Sequence, residues 1–122
     1  MVKIKRVYEA ETPEDGKRVL IDRLWPRGVK KKALRVDEWQ KEIAPSDELR
    51  RWFAHDPAKW AEFKERYYRE LSQKAPLVQA LSRQARQGDL TLLYAAKDEE
   101  HNNAVALQEL IAGRNHPSSA RC

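Results

Sequence analysis

Two short segments gather side chains able to hold an anion and to move a proton. One is Asp22-Arg23-Leu24-Trp25-Pro26-Arg27-Gly28, the other Lys97-Asp98-Glu99-Glu100-His101-Asn102-Asn103. Arg23 and Arg27 carry planar, permanently charged forks that match a phosphate or a carboxylate. The proline and glycine flanking Arg27 fix the turn that presents it. Arg23 has a competing role, pairing with Asp22 or another acid to staple the sheet edge. His101 supplies an imidazole whose charge changes near neutral pH. In the first turn of a helix, the positive helix end favours its neutral form. Asp98 either caps that helix, the commoner role, or serves in the site by positioning the ligand. Asn102 and Asn103 are poor helix formers, which leaves ligand positioning as a use for them. His101 and Asp98 are thus the candidates for proton transfer. Asp22, Arg23, Arg27, Asn102 and Asn103 are the candidates for holding an anionic small molecule or nucleotide. A histidine on an exposed turn is the plainer role for His101.

Other patterns are less specific. Lys30, Lys31 and Lys32, with Arg27 and Arg35, form a basic run suited either to nucleic-acid phosphates or to solvent. His55 precedes Asp56-Pro57, a helix-start pair, and joins His101 only if that corner folds over the sheet end. Two or three scattered histidines without an H-x-x-x-H pair do not point to a metal. The sequence has no P-loop, G-x-G-x-x-G or G-x-S-x-G, so it implies no cofactor.

Elements must position these groups. A strand is expected over 3–8, a turn over 9–16 and a second strand over 18–25. Alternation in that second strand puts Ile21, Arg23 and Trp25 on one face and Leu20, Asp22 and Leu24 on the other. The segment 36–43 fits an amphipathic turn or a short edge strand equally well. Ser46 caps a helix with Asp47 and Glu48 in its first turn and Leu49, Trp52 and Phe53 on its apolar stripe. Asp56-Pro57 opens another helix, with Trp60, Phe63, Tyr67 and Leu71 on one face. A third runs from Pro76 to Gln87 and ends at Gly88. The strongest strand signal is 90–96. A last helix spans 99–112, capped by Asp98 and stopped by Gly113. Strands interleaved with helices predict an α/β fold, a mainly parallel sheet covered by helices on both faces. The strands near 18–25 and 90–96 should be its adjacent, parallel, central pair. Ligands of such sheets gather beyond the strand carboxyl ends, where both segments fall.

Composition bounds the rest. The chain has 122 residues, 41% hydrophobic, with four Trp, four Tyr and two Phe. That suits one domain, expected over 1–113, with a frayed polar tail over 114–122. No apolar run has the length of a membrane span, and Cys122 is the single cysteine. A reduced cytosolic protein is the expectation. The net charge of +5 is uneven: residues 1–35 hold eleven Lys/Arg against five Asp/Glu, the remainder thirteen against fourteen. A basic N-terminal third favours acidic partners. Three functions remain: an anion- or nucleotide-binding domain, enzymatic or not; a nucleic-acid module using Lys30, Lys31, Lys32, Arg27 and Arg35; and a protein-interaction domain.

Three strings carry a resemblance. They are Arg23-Leu24-Trp25-Pro26-Arg27-Gly28; Ala44-Pro45-Ser46 with Leu49-Arg50-Arg51-Trp52-Phe53-Ala54-His55-Asp56-Pro57; and Leu92-Leu93-Tyr94-Ala95-Ala96-Lys97-Asp98 with His101-Asn102-Asn103-Ala104. Together, and in this order, they resemble the YeaO-like branch of the proteins called domain of unknown function 488. The resemblance implies a small cytosolic α/β protein of bacterial or archaeal type, with no established activity. Asp22 and Arg27 match the wider family's Asp…Pro-Arg pattern after a strand, at slightly shorter spacing. The wider family tends to carry a Cys-His-Arg triplet after its last main strand. The matching positions here are Asn102, Asn103 and Ala104, which lack the groups for that chemistry.

Overall fold

The computed structural model describes residues 1–115. Its sheet has four parallel strands: β1 (Val2–Arg6), β2 (Lys17–Leu20), β3 (Glu38–Trp39) and β4 (Leu90–Tyr94), in the order β1-β4-β2-β3. The two central strands are β2 and β4, adjacent and parallel as their two-sided apolar character requires. Every residue of β4 is buried. Four helices follow the chain: α1 (Asp47–Phe53), α2 (Trp60–Ser72), α3 (Ala75–Gln87) and α4 (Asn103–Asn115). No helix among the described residues is long and apolar enough to cross a membrane.

The larger apolar cluster joins Val2, Val19, Leu90, Leu92 and Tyr94 to the inward faces of all four helices. The expected stripe Phe63, Tyr67 and Leu71 is buried there, as are Leu81, Ala85, Ala104, Leu107 and Ile111. The opposite sheet face carries Leu20 and Leu93, which pack with Val7, Leu34, Trp25, Val29, Val36 and Trp39. That face is covered by a loop bearing a 3-10 turn, Lys31–Ala33, rather than by an α-helix. Toward the strand starts the same face is polar. There Arg18 and Thr91 are buried, and the 3-10 turn Pro13–Asp15 places Asp15 against them.

Several element ends differ from expectation, each for a nameable reason. The second strand stops at Leu20 instead of Trp25, although the Ile21 amide still donates to the Leu93 carbonyl at 3.2 Å. Beyond it the Asp22 carboxylate accepts from the Ala95 amide at 2.9 Å, replacing ladder pairing on both strands. Trp25 therefore joins Leu20 rather than Ile21. The 90–96 strand ends at Tyr94 and the first strand is Val2–Arg6. The 36–43 segment resolves into edge strand β3 and a 3-10 turn, Lys41–Ile43. Asp56 caps a 3-10 turn, Pro57–Lys59, which leads into α2. The last helix begins at Asn103, not Glu99, and continues through Gly113 to Asn115. The expected tail lies outside the described residues from 116 onward.

Candidate functional site

The carboxyl ends of β2 and β4, the end of α1 and the start of α4 meet around a cavity of about 390 Å³. Its polar lining includes Asp22, Arg23, Arg27, Arg50, His55 and His101. Trp25, Pro45, Phe53 and Phe63 contribute apolar walls. The Tyr67 hydroxyl donates to the Ile43 carbonyl at 2.8 Å, just ahead of the lining residues Ala44 and Pro45.

Asp22 holds this end of the sheet together. One carboxylate oxygen accepts from the Ala95 amide and the other from Asn103 Nδ2 at 3.1 Å. Asn103 Nδ2 also donates to the Ile21 carbonyl at 3.2 Å. Burial pushes the Asp22 carboxyl above its ordinary range, against the Asn103 and Ala95 hydrogen bonds and the Arg50 charge, which pull it down.

The arginines differ in their engagement. Arg23 Nε lies 3.7 Å from Asp47, and Asp47 also pairs with Arg50 on the next turn of α1. Both pairs are solvent-exposed, so they restrain the arginines only weakly. Among the described residues Arg27 has no carboxylate in ion-pair reach. It is exposed, follows the buried Pro26, and precedes Gly28, whose φ of 78° belongs to the left-handed region. Its backbone carbonyl is fixed by the Tyr8 hydroxyl at 3.1 Å.

Asp98 does not cap α4. Its Oδ1 accepts from the Glu100 and His101 amides at 2.9 and 3.0 Å, closing a turn ahead of the helix. Its Oδ2 meets His101 Nδ1 at 2.9 Å. The Glu100 amide and the His101 ring hold the Asp98 carboxyl below its ordinary range. With the proton on Nδ1 facing that carboxylate, Nε2 of a neutral His101 is an acceptor. The ring stands edge-on to Trp60, centroids 5.4 Å apart. The helix cap is Asn102, whose Oδ1 accepts from the Val105 amide at 2.9 Å. Its Nδ2 donates to the Asp98 carbonyl, and the residue is buried. Asn102 lines the cavity with its side-chain amide committed to the protein.

Six of the seven residues singled out for proton transfer or small-anion binding thus line one cavity, and the seventh, Asp98, contacts it through His101. Two further polar groups enter from elements far away in sequence. Arg50 comes from α1, where it reads as an ordinary helix-surface residue. His55 follows Ala54 in the left-handed region, with φ of 56° and 47°. Two consecutive non-glycine residues there are strained, a feature concentrated at functional sites. Of the basic run only Arg27 lies in the lining. Lys30, Lys31 and Lys32 are exposed, and Arg35 is tied to Glu11, Asp37 and the Gly16 carbonyl.

The model of a family described as the inactive DUF488-N3 subclade matches residues 1–122. The uncharacterized protein YeaO of Escherichia coli (strain K12) is 45% identical over 110 residues, 90% of this chain and 96% of its own length. The uncharacterized protein Rv3073c of Mycobacterium tuberculosis (strain H37Rv) is 41% identical over 113 residues, 93% of this chain and 95% of its own. No solved structure matches.

Proposed function

The chain belongs to the inactive DUF488-N3 subclade, and on that premise we propose that it binds an anionic small molecule or nucleotide at the sheet's carboxyl end without turning it over. The observation that carries this reading is the Arg27 guanidinium, unpaired among the described residues, lining one apolar-walled cavity with Arg23, Arg50, His55 and His101. Its volume falls in the range of small-molecule sites, about 300–1,000 Å³. Asp22 is the one carboxylate in the lining, and its two oxygens are engaged by the Ala95 amide and Asn103 Nδ2. Binding without turnover is supported by the family's description and by what stands after β4. Where the wider family carries Cys-His-Arg, this chain has Asn102, a helix cap, Asn103, a tether on Asp22, and Ala104, a buried core residue.

Calorimetric titration with inorganic phosphate, nucleoside monophosphates and small carboxylates tests the reading. At least one should bind, and Arg27→Lys, which keeps the charge but loses the fork, should weaken it about tenfold. Because Arg27 is exposed, the melting temperature should not move. No binding across the panel, or an unaffected Arg27→Lys, overturns the reading.

The Asp98–His101 pair favours a second reading, a proton-transfer enzyme in which His101 is the acid–base group. A bound compound converted by the native protein, and still bound but not converted by His101→Gln, would establish it. A protein that binds without converting any panel compound leaves the first reading standing.

A further inference from the structure

We propose that the cavity receives one nucleotide of a single-stranded nucleic acid, whose neighbouring nucleotides lie along the 24–32 loop. The proposal rests on the reading of the cavity as an anion site and extends it to a polymer. Its basis is the distribution of unneutralised charge. In the basic N-terminal third, Lys3, Lys5, Lys17, Arg18, Arg23 and Arg35 each meet an acid, and the Arg6 guanidinium is held by the Ala95 and Ala96 carbonyls. Among the described residues Arg27, Lys30, Lys31 and Lys32 meet none. The charge excess is therefore concentrated on one exposed loop, and only Arg27 of these four lines the cavity. A mononucleotide in the cavity leaves the three lysines unused, whereas a strand running out of it presents phosphates to them.

Aromatic rings lie beside both the cavity and the loop. Trp25 lines it and lies 5.9 Å from Lys31 Nζ, ring centroid to nitrogen. Trp39 packs edge-on against Trp25 at 5.5 Å and carries Lys41 Nζ 4.2 Å from its ring. Leu24, 69% exposed, offers an apolar surface beside them. Interleaved rings and cations beside a pocket are what an unstacked strand needs, since bases stack on rings while phosphates meet lysines. A paired base is confined within its stack and reaches such a cavity only by flipping out, so the site favours single strands over duplex. Polyglutamate, an acidic chain without aromatic side chains, has no flat ring to place on Trp25.

Fluorescence anisotropy with a labelled oligothymidylate of about ten nucleotides, alongside calorimetry with thymidine monophosphate, tests this. The oligomer should bind at least about tenfold more tightly than the monophosphate at low salt. Joint replacement of Lys30, Lys31 and Lys32 by Gln should leave monophosphate binding unchanged. It should weaken oligomer binding about tenfold or more and flatten the log–log salt slope by about 2. Arg27→Lys should weaken both ligands. The proposal is overturned if the monophosphate binds but the oligomer binds no better, or if the triple variant binds the oligomer normally. Equal binding of a duplex of the same length, or equal competition by polyglutamate, also overturns it. Failure of the cavity reading looks different: the monophosphate does not bind, and any oligomer binding ignores Arg27→Lys.

Discussion

Asp15 and Arg18 show how much one residue pair contributes away from the cavity. Their side chains are 4% and 1% exposed. Lys5 and the Thr12 hydroxyl and amide also bind the Asp15 carboxylate, and Arg18 Nε donates to the Arg35 carbonyl at 2.8 Å. Burial alone would raise the Asp15 carboxyl, but its four donors together hold it well below the usual range. A carboxylate depressed on folding adds stability that is full above its unfolded value of about 3.9 and is lost as pH falls below it. Asp15→Asn should therefore cost about 3 kcal/mol at neutral pH by leaving Arg18 buried and unpaired. Urea unfolding from pH 7 to pH 2 should show the variant losing less stability than the native protein below pH 4. Parallel acid limbs would mean that Asp15 is not the group that titrates. Asp22 has the opposite sign: its raised value is a contribution present at low pH and lost as pH rises through its folded pKa.

Elements are set by a few contacts at their ends. Gly16 has φ of 63°, and a Cβ there would sit 2.3 Å from the Asp89 carbonyl oxygen. That close approach aligns Lys17 with Leu90 at the start of the central pair. Gly16→Ala should destabilise by at least about 2 kcal/mol, from a disfavoured backbone region and a backbone collision together. Its urea midpoint should fall while the slope stays unchanged. Helix α1 depends on Ser46, whose Oγ accepts from the Leu49 amide at 3.1 Å and donates to Glu70 on α2 at 2.5 Å. Ser46→Ala should cost about 1 kcal/mol by the same measurement. Because α1 presents Arg50 and Phe53 to the cavity, the variant should also weaken any ligand held there.

At the scale of the molecule, the sheet order places the most enclosed strands at the centre and the two-residue β3 at an edge. Native-state hydrogen exchange should find the β4 amides slowest. The Asp37 and Gln40 amides, which bond the β3 segment to β2, should open sooner. Uniform protection across the sheet would contradict this hierarchy. The same order brings the 22–27 and 95–103 segments together, since β2 and β4 are parallel neighbours and both end at the cavity.

Local pattern was enough to determine much of this protein. The stripe Phe63-Tyr67-Leu71 read as a helix face, Ser46 as a cap and 90–94 as a buried strand because periodicity and capping act within a few residues. Two-sided apolar strands separated by helical chain implied the parallel central pair, and with it a common place for Asp22, Arg23, Arg27 and His101. Tertiary structure alone decided where strands stop and which groups join that place. The Asp22 carboxylate ends β2 by bonding an amide 73 residues away, a partner no local window contains. The roles of Asp98 and Asn102 were divided by the turn before α4: one closes the turn and holds His101, the other caps the helix. Arg50 and His55 reach the cavity only because α1 packs over the sheet end, driven by burial of Leu49 and Phe53. Side chains that bond or pack across the fold take their positions from the whole chain's burial, and local sequence carries no record of it.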